Sequence, residues 1–163
     1  MTPQEDFVLR PATEADLPQI HALIHALAEY EHAPPGAVPV TQSDLREALF
    51  GPARFVEVLL ASVGSQIAGY AMFFQNFSSW RGRPGIFLED LFVQPELRRR
   101  GIGRALLREL ARIALTRNCA RMEWLVLDWN QPAISFYRSL GAAPLDEWTI
   151  FRIGGSALAA LAD

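Results

Sequence analysis

The stretch Phe87-Leu88-Glu89-Asp90-Leu91-Phe92-Val93-Gln94-Pro95-Glu96-Leu97-Arg98-Arg99-Arg100-Gly101-Ile102-Gly103-Arg104-Ala105-Leu106-Leu107 decides how the rest of the chain reads. Ile86 to Val93 is an apolar strand pattern and Pro95 marks a turn. An arginine-rich loop with two glycines then leads into an amphipathic helix over Ile102 to Asn118, with Leu106, Leu110 and Ile113 inward. A loop at a helix start presents backbone N–H groups without intrahelical acceptors, together with the positive end of the macrodipole. That combination binds phosphate.

Upstream, Phe7-Val8-Leu9 reads as a short strand stopped by Pro11. A helix opens at Thr13 or Asp16, and Asp16 with Gln19 has capping-box spacing that leaves Pro18 in the first turn. Leu17, Ile20, Ile24 and Leu27 fall on one face of this helix, which ends near Glu31, before Pro34-Pro35-Gly36. Thr41 caps a second, short helix through Leu45 and Leu49. Phe55 to Ala61 and Ile67 to Gln75 form a hairpin around Val63-Gly64-Ser65-Gln66, and Ser78 to Gly85 is a loop carrying Trp80. Downstream, Met122 to Asp128 reads as a strand, Asn130 to Leu140 as a helix closed by Gly141, and Trp148 to Ile153 as a last strand. The order β-α-α-β-β-β-α-β-α-β predicts a mixed α/β sheet with helices packed on it: an antiparallel meander, then crossover connections. With 163 residues and no repeat, low-complexity segment or linker, residues 1–163 are expected to form one domain.

The net charge of −3 argues against a general polyanion binder. Its distribution is uneven. All fifteen basic residues are arginines, and eight of them lie between Arg98 and Arg121, where aromatic residues do not interleave with them. A nucleic-acid module is therefore disfavoured. No apolar run is long enough to cross a bilayer and no signal peptide is visible, so neither a membrane nor secretion is expected. The single cysteine, Cys119, fits a reducing, cytoplasmic compartment and reads as a small buried hydrophobe.

Three glycine-loop chemistries compete for the phosphate. A dinucleotide fingerprint needs a third glycine where Leu106 stands, and a Walker loop needs a lysine that this chain lacks. Coenzyme A remains. The segment Arg98-Arg99-Arg100-Gly101-Ile102-Gly103, between a strand and a helix, matches every fixed position of Q/R-x-x-G-x-G/A, and here the chain resembles the GNAT family of N-acetyltransferases. The resemblance covers nearly the whole chain and implies a GNAT-type, largely antiparallel central sheet. It implies acetyl-CoA as cosubstrate, without a metal. The amides from Arg99 to Arg104, in a loop opened by Arg98, would hold its pyrophosphate, and Leu91, Phe92 and Val93 would pair with its pantetheine arm. Charge agrees independently. Arg104, Arg108 and Arg112 repeat at i,i+4 as like charges, and cations near a helix N-terminus oppose the dipole. A bound polyanion offsets both costs. Arg108, Arg112, Arg117 and Arg121 themselves read as a solvated basic face.

Amine attack on a thioester requires that the amine lose a proton, that the oxyanion find donors, and that the leaving thiolate gain a proton. Asn130 and Tyr137, seven apart, share a face of the helix Asn130 to Leu140. The pattern resembles the family's second coenzyme segment, which implies that Asn130, with Ala133 in the same turn, binds the coenzyme and that Tyr137 protonates the departing sulfur. Glu89 and Asp90 are adjacent strand residues and point to opposite faces unless a bulge intervenes. Glu89 is assigned to proton uptake, and which carboxylate points inward stays open.

Within the family, Arg10-Pro11-Ala12-Thr13, Leu27-Ala28-Glu29-Tyr30-Glu31, Leu88-Glu89-Asp90 and Trp129-Asn130 resemble the diamine (spermidine/spermine) and thialysine acetyltransferase branch. That resemblance implies Tyr30, Glu31, Trp80, Glu89 and, more loosely, Glu147 at the site of a small aliphatic amine. It also implies a homodimer. Ser78-Ser79-Trp80 lacks the acid that the spermidine enzyme carries two residues before its tryptophan, so the thialysine branch fits better. Acetylation of a protein N-terminus or side chain is the rival within the same chemistry, and a silent coenzyme A sensor the rival outside it. His21, His25 and His32 lack the glutamate of a zinc-protease helix and read as helix-surface residues.

Overall fold

The computed structural model describes residues 6–163. Its contacts divide into a unit running up to Leu125 and a second unit, Val126–Asp163.

The first unit is built on a five-stranded sheet of β1 (Val8–Pro11), β2 (Glu57–Val63), β3 (Gln66–Ser78), β4 (Arg83–Val93) and β5 (Met122–Trp124), in that spatial order. β1 to β4 are antiparallel, and β4 pairs with β5 in parallel. A parallel pair needs a crossover, supplied by the helix α3 (Ile102–Thr116). Val63 faces Gln66 across the expected two-residue turn, in which Gly64 takes φ +59°.

Helices α1 (Leu17–Tyr30) and α2 (Gln42–Phe50) cover one face of the sheet. Leu17, Ile20 and Leu23 of α1 and Leu45 and Leu49 of α2 pack with Val58, Leu60, Tyr70, Met72 and Phe92. α3 covers the other face with Ile102, Leu106 and Leu110 buried, and the Arg117 guanidinium that follows it lies 5.9 Å from the Phe73 ring centroid. The start of α1 uses both expected residues: Thr13 caps a 3-10 turn, Glu14–Asp16, and Asp16 is the N-cap position of the helix. The capping box is corrected, since it joins Thr13 to Asp16 and not Asp16 to Gln19. The buried Asp16 carboxylate accepts from the Thr13 N–H (2.8 Å) and hydroxyl (2.9 Å) and takes two 2.7 Å bonds from Arg10. Thr41 caps α2 as expected, its hydroxyl accepting from the Asp44 N–H at 3.1 Å.

One irregularity matters for function. Met72 pairs with Asp90 and the next residue, Phe73, pairs with Leu88, so Glu89 is an extra residue in β4. This is a β-bulge. It reverses the alternation beyond it: Leu88 shares the α3 face with Phe73, whereas Asp90 and Phe92 share the α1 face with Met72 and Tyr70.

The second unit contains α4 (Gln131–Ser139) and α5 (Gly155–Ala162). Two expectations are corrected. The strand read over Met122 to Asp128 stops at Trp124, and Trp148 to Ile153 forms no strand. Its alternating apolar residues are instead exposed, Phe151 at 92%. A strand pattern needs a neighbouring edge to satisfy its backbone, and within the described residues this segment pairs with none.

Candidate active site

The carboxylates and the coenzyme loop belong to the first unit. β5 pairs with β4 only from Ile86 to Leu88. From the bulge at Glu89 to Val93, no strand among the described residues takes the second edge of β4, while the first edge stays paired with β3 through Gly69↔Val93. Leu91 to Val93 thus lie on a strand edge with main-chain groups to offer an extended ligand. The chain then turns through a 3-10 segment, Pro95–Leu97. Arg99 and Gly101 both take left-handed backbone (φ +64° and +83°), with Gly101 capping α3. A Cβ at Gly101 would meet nothing within 4 Å, so its glycine serves the backbone turn rather than a close approach of protein atoms. The amides of Ile102 and Gly103, in the first turn of α3, have no intrahelical acceptor. An open strand edge beside a helix N-terminus fits the two chemistries of coenzyme A, an amide-bearing arm and a pyrophosphate.

Arg98 is placed differently from the rest of the loop. Its guanidinium carbon sits 4.6 Å from the Tyr30 ring centroid and 5.6 Å from that of Phe92, and its Nε donates to the Val93 carbonyl at 2.9 Å. It therefore ties the end of α1 to the end of β4. Tyr30 and Phe92 also approach each other, with centroids 6.5 Å apart.

The acids gather on the α1 face. The Tyr70 hydroxyl, with no exposed surface on its residue, donates to Asp90 Oδ2 at 2.9 Å. Burial pushes the Asp90 carboxyl up to about 6; the Tyr70 bond pulls it down, and the charges of Glu89 and Glu31 push it further up. Burial also raises Glu31 and holds the Tyr70 hydroxyl far above its usual range, so it remains a donor. The inward carboxylate is thus Asp90, while Glu89 is exposed at the bulge. This answers the orientation that the sequence left open, and the cause is the extra residue at the bulge. Tyr70 was missed altogether, because a tyrosine in an apolar strand reads as core.

Trp80 is not brought to these groups. It stands 90% exposed in the β3–β4 turn, about 20 Å along the strand from the bulge at the usual rise per residue. The second unit holds the remaining candidates. Asn130 is buried and caps α4, its Oδ1 accepting from the Ala133 N–H at 3.3 Å. Tyr137 is half-buried on the same helix, its ring 5.4 Å from that of Phe136. Glu147 lies exposed in the stretch after α4.

Other candidates resolve into structural roles. Arg112 pairs with Glu109, Arg117 with Glu57 through two oxygens, and Arg121 with Glu123. His21 Nε2 lies 2.9 Å from the Val40 carbonyl, and its ring is 4.6 Å from that of His25. Cys119 is buried. Among the described residues no group of three or more metal-ligating side chains occurs, and no helix is long and apolar enough to cross a membrane. A cavity of about 680 Å³ between α2, β2 and the end of α3 contains none of the expected site residues.

Comparison with known proteins places this geometry. Residues 20–142 match the model of the Acetyltransferase (GNAT) family. A thialysine N-epsilon-acetyltransferase of Bos taurus is 37% identical over 95% of this chain and 96% of its own length. The L-ornithine N5-acetyltransferase NATA1 of Arabidopsis thaliana is 30% identical over 94% of this chain and 86% of its own. Among solved structures, an integron cassette protein from the mobile metagenome of V. cholerae superposes with a TM-score of 0.79 at 28% identity, covering 96% of this chain and 98% of that one. With that sheet, that loop and these relatives, the chain belongs to the GNAT family of acetyltransferases and is an acyltransferase enzyme.

Proposed function

We propose that residues 1–163 act as one N-acetyltransferase domain that moves the acetyl group of acetyl-CoA directly to a small aliphatic amine of the diamine or thialysine type. The observation that carries the reading is the unpaired β4 edge, Glu89 to Val93, beside a cluster of three acids, Glu31, Glu89 and Asp90. An acidic cluster attracts an ammonium group, and Tyr30 adds an aromatic face next to it. The relatives named for thialysine and ornithine acetylation point the same way.

In this reading Leu91 to Val93 align the pantetheine arm, and the loop from Arg98 to Arg104 holds the pyrophosphate. Asn130 and Ala133 contribute from α4. Acetyl-CoA supplies the thioester whose carbon–sulfur bond breaks as the new carbon–nitrogen bond forms. The β4 carboxylates take the ammonium proton, and Tyr137 returns a proton to the sulfur. Tyr30, Glu31 and Glu89 line the amine site. Trp80 and Glu147 belong to the same proposal, together with a homodimer. Support for the dimer is the exposed apolar surface of Trp148, Ile150 and Phe151. A reducing cytoplasmic compartment completes the reading and suits the single, buried thiol.

Acetyl-CoA consumption against spermidine, putrescine, thialysine, lysine and amino-acid analogues tests the reading. Turnover with at least one of these amines is expected, and a purified protein without affinity for acetyl-CoA overturns it. Light scattering on the same preparation is expected to give twice the chain mass.

A further inference from the structure

The cavity between α2, β2 and the end of α3 lies wholly in the first unit and away from the coenzyme loop. Ile113, on its wall, is about 16 Å along the helix axis from Ile102, where that loop enters α3. Its volume of about 680 Å³ is that of a small-molecule site. The floor is apolar and already packed: Leu49 of α2, Val58 and Leu59 of β2 and Phe73 of β3 are each buried. Phe50 and Phe55 add two more rings, and Phe55 is 68% exposed.

Charge selects the occupant. Three ionisable side chains line the cavity, Arg54, Glu57 and Arg117. Glu57 and Arg117 satisfy each other: Nη1 of the arginine donates to Oε1 at 2.5 Å and Nη2 to Oε2 at 2.7 Å. The same guanidinium is held near the Phe73 ring, 5.9 Å from its centroid. Arg54 is different. It is exposed between α2 and β2, and among the described residues no carboxylate pairs with it. The cavity therefore carries one uncompensated positive charge beside a phenylalanine-lined apolar space.

We propose that this cavity is a second binding site, which takes an aromatic monocarboxylate. The ligand's ring packs against Phe50 and Phe55, where offset or edge-to-face contact is favourable. Its carboxylate accepts two parallel bonds from the Arg54 guanidinium. Gln75, also on the wall, offers a neutral amide donor. A cation meets the net positive charge, and a neutral arene leaves Arg54 unpaired. The lining holds no serine, cysteine, histidine or lysine, and its one carboxylate is committed to Arg117, so the site binds and does not react. The proposal is independent of the amine chemistry on β4.

Calorimetric titration of the full chain with naphthylacetate and with its neutral counterpart, naphthylacetamide, tests it. One equivalent of the acid is expected to bind, about tenfold more tightly than the amide. Arg54→Gln is expected to abolish that advantage, so that acid and amide bind alike, with thermal unfolding unchanged because an exposed side chain without an ion pair is replaced. Ile113→Trp, which fills the cavity, is expected to weaken both ligands. Saturating acetyl-CoA is expected to leave the acid bound. Absence of binding overturns the inference, as does an amide that binds as well as the acid to the wild-type protein. Acid binding that survives Arg54→Gln or Ile113→Trp unaltered places the ligand elsewhere and also overturns it. Displacement by acetyl-CoA does the same, since it puts the probe in the coenzyme site. None of these outcomes bears on amine turnover, which the acetyl-CoA consumption assay reads separately.

Discussion

Asp90→Asn is expected to make the protein more stable at neutral pH. Asp90 titrates at about 6 in the fold against 3.8 as an ordinary carboxyl, first because it is buried. A rise of about two pH units corresponds to about 3 kcal/mol. The sign follows from proton counting. Below pH 4 both the folded and the unfolded chain carry the proton, and the group costs nothing. Between about pH 4 and 6 the unfolded chain releases it while the fold keeps it, so stability falls as pH rises. Above pH 6 the full cost is present. Asparagine has nearly the same shape, still offers Tyr70 an acceptor and never ionises, so it escapes that cost. Urea unfolding of both proteins from pH 4 to pH 8, at equal m-values, measures the difference. The variant's advantage should be near zero at pH 4, grow through pH 5 and level off at up to about 3 kcal/mol above pH 6. An advantage independent of pH, or a wild type that gains on the variant as pH rises, refutes the buried-carboxylate reasoning.

Asp16 is the opposite case, its carboxyl held well below the usual range chiefly by its bonds to Arg10. The stability it contributes is present above about pH 4 and is lost as pH falls toward its folded value. Asp16→Asn should therefore cost about 2–3 kcal/mol at pH 7 and progressively less under acid, read by the same urea titrations. A Cβ at Gly69 would lie 2.4 Å from the Phe92 carbonyl and 3.0 Å from Val93 Cα, both backbone atoms that cannot swing away. Gly69→Ala should destabilise by about 2 kcal/mol and weaken acetyl-CoA binding through the displaced end of β4, measured by thermal unfolding and calorimetry. Tyr137→Phe should lower kcat at neutral pH by about 10²-fold or more with coenzyme affinity little changed; unaltered turnover would remove Tyr137 from the mechanism.

Local chemistry was legible wherever it depended on residues close in the chain. Thr41 with Asp44, Gly64 in its two-residue turn and Gly101 before an amphipathic helix each act over a few bonds, and each appears where its residue type requires. The meander and the β4–α3–β5 crossover followed from the order of those elements. The reading of Trp148 to Ile153 failed for a related reason: its pattern is strand-like, but a strand exists only beside an edge, and sequence pattern does not supply one.

The sequence alone determined the family's strand–loop–helix, its glycines and the arginine cluster, because steric and dipole constraints on those positions are local. Only the tertiary structure decided which acid of Glu89-Asp90 turns into the fold, Asp90 being half-buried and Glu89 exposed. β4 is covered by α1 and α2 on one face and α3 on the other, so apolar residues occupy both alternations and the pattern carries no phase. A bulge in such a strand leaves no mark in the sequence. It shows only in the pairing of Met72 with Asp90 and Phe73 with Leu88, and that one extra residue turns Asp90 to Tyr70 and leaves Glu89 outside.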